Sequence, residues 1–193
     1  MRSEGWRLFP RAYIGYKLFN SLFLGLNVGT IFTIYKPLDP SVYSLGGILL
    51  ALAMLGIAQL YGRIMTLRWF FYISLFVELV VLAMVLFFLS HPYTWLTAML
   101  IYAGYQATFA FGSYLVRAET LALDEDELLR RVDSAKQIGY LIGMAGSWIF
   151  YKILEMRGIH SSEVKVYDLH WLLLGCELVI IFLLVRSFGR SSR

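Results

Sequence analysis

Six apolar runs, at 13–35, 43–62, 69–89, 95–116, 137–154 and 169–185, alternate with polar connections that are mostly short. A helix crossing the hydrocarbon core of a bilayer needs about 20 predominantly apolar residues. Each run is of that order, so the pattern predicts a single-domain, all-α integral membrane protein of six transmembrane helices. The first run carries Lys17, Asn20 and Asn27 and is followed by no small-residue cleavage site, so it is expected to be retained as a span and not removed as a signal peptide. Two connections are longer, 117–136 and 155–168. In the first, Asp124 and Glu127 are spaced as an N-cap and its N3 acid, and Leu128, Leu129 and Val132 recur at helical spacing. This predicts a short amphipathic helix over 124–135, lying on the inner surface and running into span five. Its acids, 124–127, read as a solvated helix start facing the positive end of the helix dipole.

With six crossings both termini share a side, and the basic residues then divide unequally. One side holds Arg2, Arg7, Arg11, Lys17, Arg63, Arg68, Arg117, Arg130, Arg131, Lys136, Arg186, Arg190 and Arg193; the other holds only Lys36, Lys152, Arg157 and Lys165. The positive-inside rule puts the richer side, and both termini, in the cytoplasm. The expected location is a bacterial inner (cytoplasmic) membrane. Composition agrees, with 59% hydrophobic and 17% aromatic residues and a mean hydropathy of +0.67. The net charge of +4 follows from the topology and gives no footprint for nucleic acid, since no basic cluster alternates with exposed aromatics. A single cysteine, Cys176, excludes a disulfide within one chain.

A short internal repeat divides the spans. Span one begins Tyr13-Ile14-Gly15-Tyr16-Lys17 and span four contains Tyr102-Ala103-Gly104-Tyr105-Gln106; span three carries Glu78 and span six carries Glu177, each near its middle. Spans one to three then correspond to four to six, and an odd number of crossings makes the repeat inverted, an arrangement common in transporters. At 100° per residue, Tyr13, Tyr16, Lys17, Asn20 and Asn27 form one stripe on span one, and Tyr102, Tyr105, Gln106, Phe109, Ser113 and Arg117 form one on span four. Such stripes avoid lipid. They serve either interhelical hydrogen bonding in a packed bundle or a water-filled cavity between spans one and four.

Glu78 and Glu177 are the costliest residues. On insertion scales an Asp at mid-bilayer costs about 2.5–3.5 kcal/mol, and Glu is expected to be similar. They are candidates for proton coupling, against the alternative that each stays protonated and bonds a neighbour, such as Ser74 one turn before Glu78. Gly139, Gly143 and Ser147, at spacing four on span five, allow close approach of another helix. Lys136, Tyr140, Ser147 and Tyr151 share an adjacent stripe. His91, His160 and His170 map to the outer side near Asp168 and Glu163, but their spacing matches no tight metal motif, and a haem would want histidines at depth. No metal, cofactor or catalytic motif is expected, and the chain does not read as an enzyme. Trp95, Trp171 and Tyr93 outside, with Trp6 and Trp69 inside, read as interface anchors.

The stretch 117–143, with Arg117, Arg130, Arg131, Lys136, Gly139 and Gly143, resembles the link between spans four and five in one half of a major facilitator superfamily transporter: a basic residue closes span four and a Gly-rich span five follows. The six spans, inside termini and three-plus-three repeat are similar as well. After span two the family places a Gly, an Asp-Arg and a Gly-Arg pair; here Gly56, Gly62, Arg63 and Arg68 stand, with Gln59 nearby and no acid. The resemblance implies that spans one and four line a cavity, that spans two and five meet a second half, and that spans three and six lie at the periphery. One half cannot enclose the cavity, so it implies a homodimer. The expectation is a small-solute transporter working by alternating access. Tyr16, Asn20, Asn27, Tyr102, Gln106 and Arg117 would line the substrate path, Glu78 and Glu177 would serve coupling, and Gly139, Gly143 and Ser147 would form the dimer interface. The alternative is a nontransporting scaffold or assembly factor for a larger membrane complex, with the polar stripes buried against partner helices.

Overall fold

A computed structural model describes residues 1–190 and is built almost entirely from helices. Strand β1 (Trp6–Leu8) leads into α1 (Pro10–Asn27) and α2 (Thr30–Ile34); α3 (Pro40–Gln59) and α4 (Tyr61–Ile64) follow. The chain continues through α5 (Leu67–Ser90), α6 (Trp95–Ala110), α7 (Gly112–Leu123), α8 (Asp126–Met156) and α9 (Ser162–Ser187), and closes on β2 (Phe188–Arg190). Three of these, α3, α5 and α9, are long and apolar enough to cross a membrane. The chain is therefore a helical protein with the elements of a membrane protein.

Local chemistry sets the helix starts. Pro10 and Pro40 occupy first-turn positions of α1 and α3, where a missing N–H costs nothing. Asp39 accepts the Ser41 N–H at 2.8 Å, Thr94 the Thr97 N–H at 3.0 Å, and Thr66 and Ser161 cap α5 and α9 in the same way. Asp124 departs from expectation. It is the left-handed C-cap of α7, at φ 43°, while Glu125 takes the N-cap of α8 without a side-chain bond. The segment 124–135 is then no separate element: from Asp126 it forms the opening turns of one 31-residue helix, α8.

The first and fourth apolar runs are each interrupted. Run 13–35 breaks at Val28 and Gly29 between α1 and α2, and run 95–116 breaks at Phe111 between α6 and α7. Helix α7 continues beyond that run to Leu123, so Arg117 and Glu119 are helical.

Helix α1 lies between α8 and α9; α5 packs on α9 and on α6; α3 packs mainly on α6, with slighter contact to α7. The α1–α8 contact is made backbone to backbone. A Cβ on Gly139 would lie 2.1 Å from the Leu18 carbonyl oxygen, one on Gly143 2.2 Å from that of Leu22, and one on Gly25 2.3 Å from that of Tyr140. Gly139, Gly143 and the buried Ser147 are thus occupied by α1 within the chain. The close approach that their spacing predicts is made, for Gly139 and Gly143, to α1 of the same chain. In α3 only Gly46 is buried, against Tyr102, and Leu45, Ile48, Leu49, Leu52 and Leu55 are exposed along its length.

At one end of the bundle β1 and β2 pair antiparallel, with Arg7 opposite Gly189. There the Arg2 carbonyl accepts the Leu67 N–H at 3.0 Å and its guanidinium donates to the Gly62 carbonyl at 2.9 Å. The amino-terminal end therefore meets the 60–66 connection, and the carboxy-terminal end of the described chain pairs with it through β1; Arg193 lies outside the described residues. At the opposite end the Tyr93 hydroxyl donates to the Glu163 carbonyl, and Tyr167 reaches the Leu89 carbonyl at 3.4 Å. Of the expected interface anchors, Trp69, Trp95 and Trp171 are exposed, while Trp6 stacks on Phe71 at 5.3 Å between ring centroids.

Candidate functional site

The polar stripe of α1 faces protein along its whole length and carries three buried polar clusters in succession. The first is built on Glu119 of α7, which is 5% exposed. Lys17 pairs with it at 2.7 Å, Lys136 of α8 pairs with its other oxygen, and the Tyr13 hydroxyl donates to it at 2.6 Å. Lys136 also reaches Asp133 at 3.0 Å. Burial opposes charge on Glu119, but Lys17, Lys136 and the Tyr13 hydroxyl outweigh it and hold the carboxyl below the ordinary glutamate range. Three helices distant in sequence are tied together here.

The second cluster is one turn further along α1. Glu78 of α5, 2% exposed, accepts the Tyr16 hydroxyl at 2.6 Å and the Asn20 amide at 3.1 Å. Glu177 of α9, fully buried, brings its carboxyl against that of Glu78. As carboxylates neither can donate to the other, and both Glu177 oxygens are without a donor among the described residues. Ser74 is buried nearby on α5, but it is Tyr16 and Asn20 of α1 that satisfy Glu78. Helices α5 and α9 therefore carry their acids into the core of the chain.

The third cluster closes the end of α1. The Asn27 amide donates to the Tyr105 hydroxyl of α6, and the Thr30 hydroxyl reaches both the Asn27 side chain and its carbonyl, the latter at 2.9 Å. These groups border a cavity between α1, α2, α5, α6 and α9 with about 20 Å³ of water-accessible space, lined also by Phe23, Met84 and His170. That is room for about one water.

Tyr16, Asn20 and Asn27 are thus gathered on the core side of α1, with Glu78 and Glu177. Tyr102, Gln106 and Arg117 are not brought to them. Tyr102 donates to the Tyr43 carbonyl at 3.2 Å and lines, with Gln106, an apolar groove against Val42, Gly46 and Leu49 of α3. The Gln106 side-chain oxygen is buried without a donor among the described residues. Arg117 lies on α7, its guanidinium over the Tyr61 ring at 5.6 Å, beside Ser113, Val116 and Thr120. His170 is buried with its ring 3.9 Å from that of Phe88, and its Nδ1 meets the Val166 carbonyl at 2.7 Å.

Sequence reasoning passed over Glu119. Its one sequence signal is the run Arg117-Ala118-Glu119-Thr120-Leu121, which continues the helical period of span four into the connection. Comparison with known proteins returned nothing: no family model matches the chain, and no curated protein and no solved structure matches it.

Proposed function

We propose that the chain is one six-span half of a transporter resembling the major facilitator superfamily, assembled as a homodimer and moving a small solute by alternating access between its two halves. One observation carries this reading. The main contacts between the two triplets correspond when spans one, two and three are exchanged with four, five and six: the extensive packing of α1 on α8 corresponds to the smaller contact of α6 on α3, α1 on α9 to α6 on α5, and α5 on α9 to itself. An inverted three-plus-three repeat has this property. The detail follows the same exchange, since both cross-repeat contacts of the second-position helices are made through glycine, Gly139 and Gly143 on α8 and Gly46 on α3. The first helix of each triplet is interrupted, as half-helices at transport sites often are.

The homodimer is supported by what the single chain leaves undone. The cavity beside Asn27 and Tyr105 has room for about one water, and the second helix, α3, presents an apolar face along nearly its full length. In this reading the six crossings place the arginine-rich end, where β1 and β2 pair, in the cytoplasm of a bacterial inner membrane. Native mass spectrometry from lipid nanodiscs tests the assembly. The expected species contains two 22.2 kDa chains. A single chain, or a chain held only by a different protein, supports the scaffold alternative and overturns the transporter reading.

A further inference from the structure

The second buried cluster contains an unsolved bond. Glu177 is fully buried, both its oxygens are without a donor among the described residues, and a second buried carboxyl, that of Glu78, lies beside it. Glu78 is in the opposite condition, with Tyr16 donating at 2.6 Å and Asn20 at 3.1 Å. We propose that Glu78 and Glu177 form one buried site that binds a single proton, carried on Glu177 and donated to an ionised Glu78.

Charge balance points the same way. Lys17 and Lys136 are both bound to Glu119, Lys136 also to Asp133, and no ammonium group is paired with Glu78 or Glu177 among the described residues. Two ionised carboxyls side by side would therefore be buried with no paired cation in a low-dielectric interior, and one proton removes one of those charges. The surrounding titratable groups add no further positive charge. They are Tyr13 and Tyr16 on α1, Tyr105 on α6 and Cys176 on α9, whose thiol reaches the Phe19 carbonyl at 3.6 Å. Two adjoining carboxyls in one site share a proton for the same reason.

A proton fits better than a metal cation. Tyr16 and Asn20 turn donors, not lone pairs, toward Glu78, and the nearby cavity is lined by Asn27, Tyr105 and His170 without either glutamate. The proton also has a neighbour able to sense it: Lys17 is adjacent to Tyr16 in the chain, sits over the Tyr16 ring at 5.4 Å, and binds Glu119. Loss of the proton would place a second anion within reach of Lys17 and compete with Glu119 for it. A coupling role for this exchange rests on the transporter reading; the proton site does not.

The test is infrared spectroscopy of the purified protein in lipid, with glutamate ¹³C-labelled to assign the carboxylic-acid carbonyl stretch. At neutral pH the wild type is expected to show one protonated glutamate per chain. Glu177→Gln should lose that band, since Glu78 keeps its two donors and stays ionised. Glu78→Gln should retain it. Tyr16→Phe, which removes a donor from Glu78, should gain a second acid carbonyl on mild acidification. A wild type with no acid band or with two, a band that survives Glu177→Gln, or a band erased by sodium at fixed pH would each overturn the proposal. The readout needs neither dimer nor transport, so its failure leaves the assembly reading standing and a monomeric result leaves this one standing.

Discussion

Replacing Gly143 by alanine adds one methyl group where two backbones meet, and its cost can be worked from the contact. The new Cβ would lie 2.2 Å from the Leu22 oxygen, 2.9 Å from the Leu26 nitrogen and 3.0 Å from the Gly25 Cα. All three are backbone atoms, so no side chain can swing aside, and α1 and α8 must part by about 1 Å to reach ordinary van der Waals separation. Overpacking of this kind costs about 1–3 kcal/mol, against a gain of up to about 1 kcal/mol from alanine's better helix propensity. The expected net loss is about 1–2 kcal/mol for Gly143→Ala, and similar for Gly139→Ala, where the Cβ would meet the Leu18 oxygen at 2.1 Å. Gly146→Ala, whose nearest neighbour is the Leu26 side chain at 3.6 Å, is the matched control on the same helix and should be neutral or stabilising. Reversible unfolding in mixed micelles, followed by circular dichroism, measures all three. If Gly143→Ala matched wild type in unfolding while weakening self-association, these glycines would belong between chains, and the α1–α8 packing would be wrong.

Glu119→Gln leaves the Lys17 and Lys136 ammonium groups without their shared counter-charge. Removing one partner of a buried pair costs about 3–5 kcal/mol; because Lys136 still reaches water and Asp133, about 2–3 kcal/mol is expected in the same unfolding assay, and no change would remove Glu119 from the core. At the end of the bundle away from β1 and β2, hydrogen bonds from Lys152 at 2.7 Å and Lys165 at 2.9 Å depress the Glu155 carboxyl to about 2. Its contribution to stability is therefore present above the ordinary carboxylate range and fades only as pH falls toward 2, so none of it should be lost between pH 7 and pH 5. Lys165→Met should move the Glu155 titration upward, read from its ¹³Cδ shift by NMR, and an unmoved titration would refute the pairing.

The helical class and the long apolar helices α3, α5 and α9 were legible because a bilayer demands long apolar runs, against which buried acids stand out. Glu78 and Glu177 were found by cost alone, and the glycines of α8 by spacing alone. What the chain could not show was azimuth across a break. The stripe from Tyr102 to Arg117 assumes an unbroken helix, and the interruption at Phe111 separates the two, leaving Tyr102 and Gln106 of α6 against α3 and Arg117 of α7 beside Tyr61. Partners far apart in sequence were equally hidden. Glu119 finds Tyr13 106 residues away, and the acids pair across α5 and α9 with no local signal. Strands β1 and β2 are three residues each, too short to carry a period, and only their pairing reveals them.

Alternating access in a pair of halves is read most directly by electron–electron double resonance between the two copies in lipid, on a Cys176→Ala background. Labels at exposed Arg63 report one end of the bundle and labels at exposed Lys36 the other. The account predicts interchain distances at both sites, each in two populations, with one end closing as the other opens when pH is changed. A single population at both ends, or no interchain dipolar signal, would contradict it.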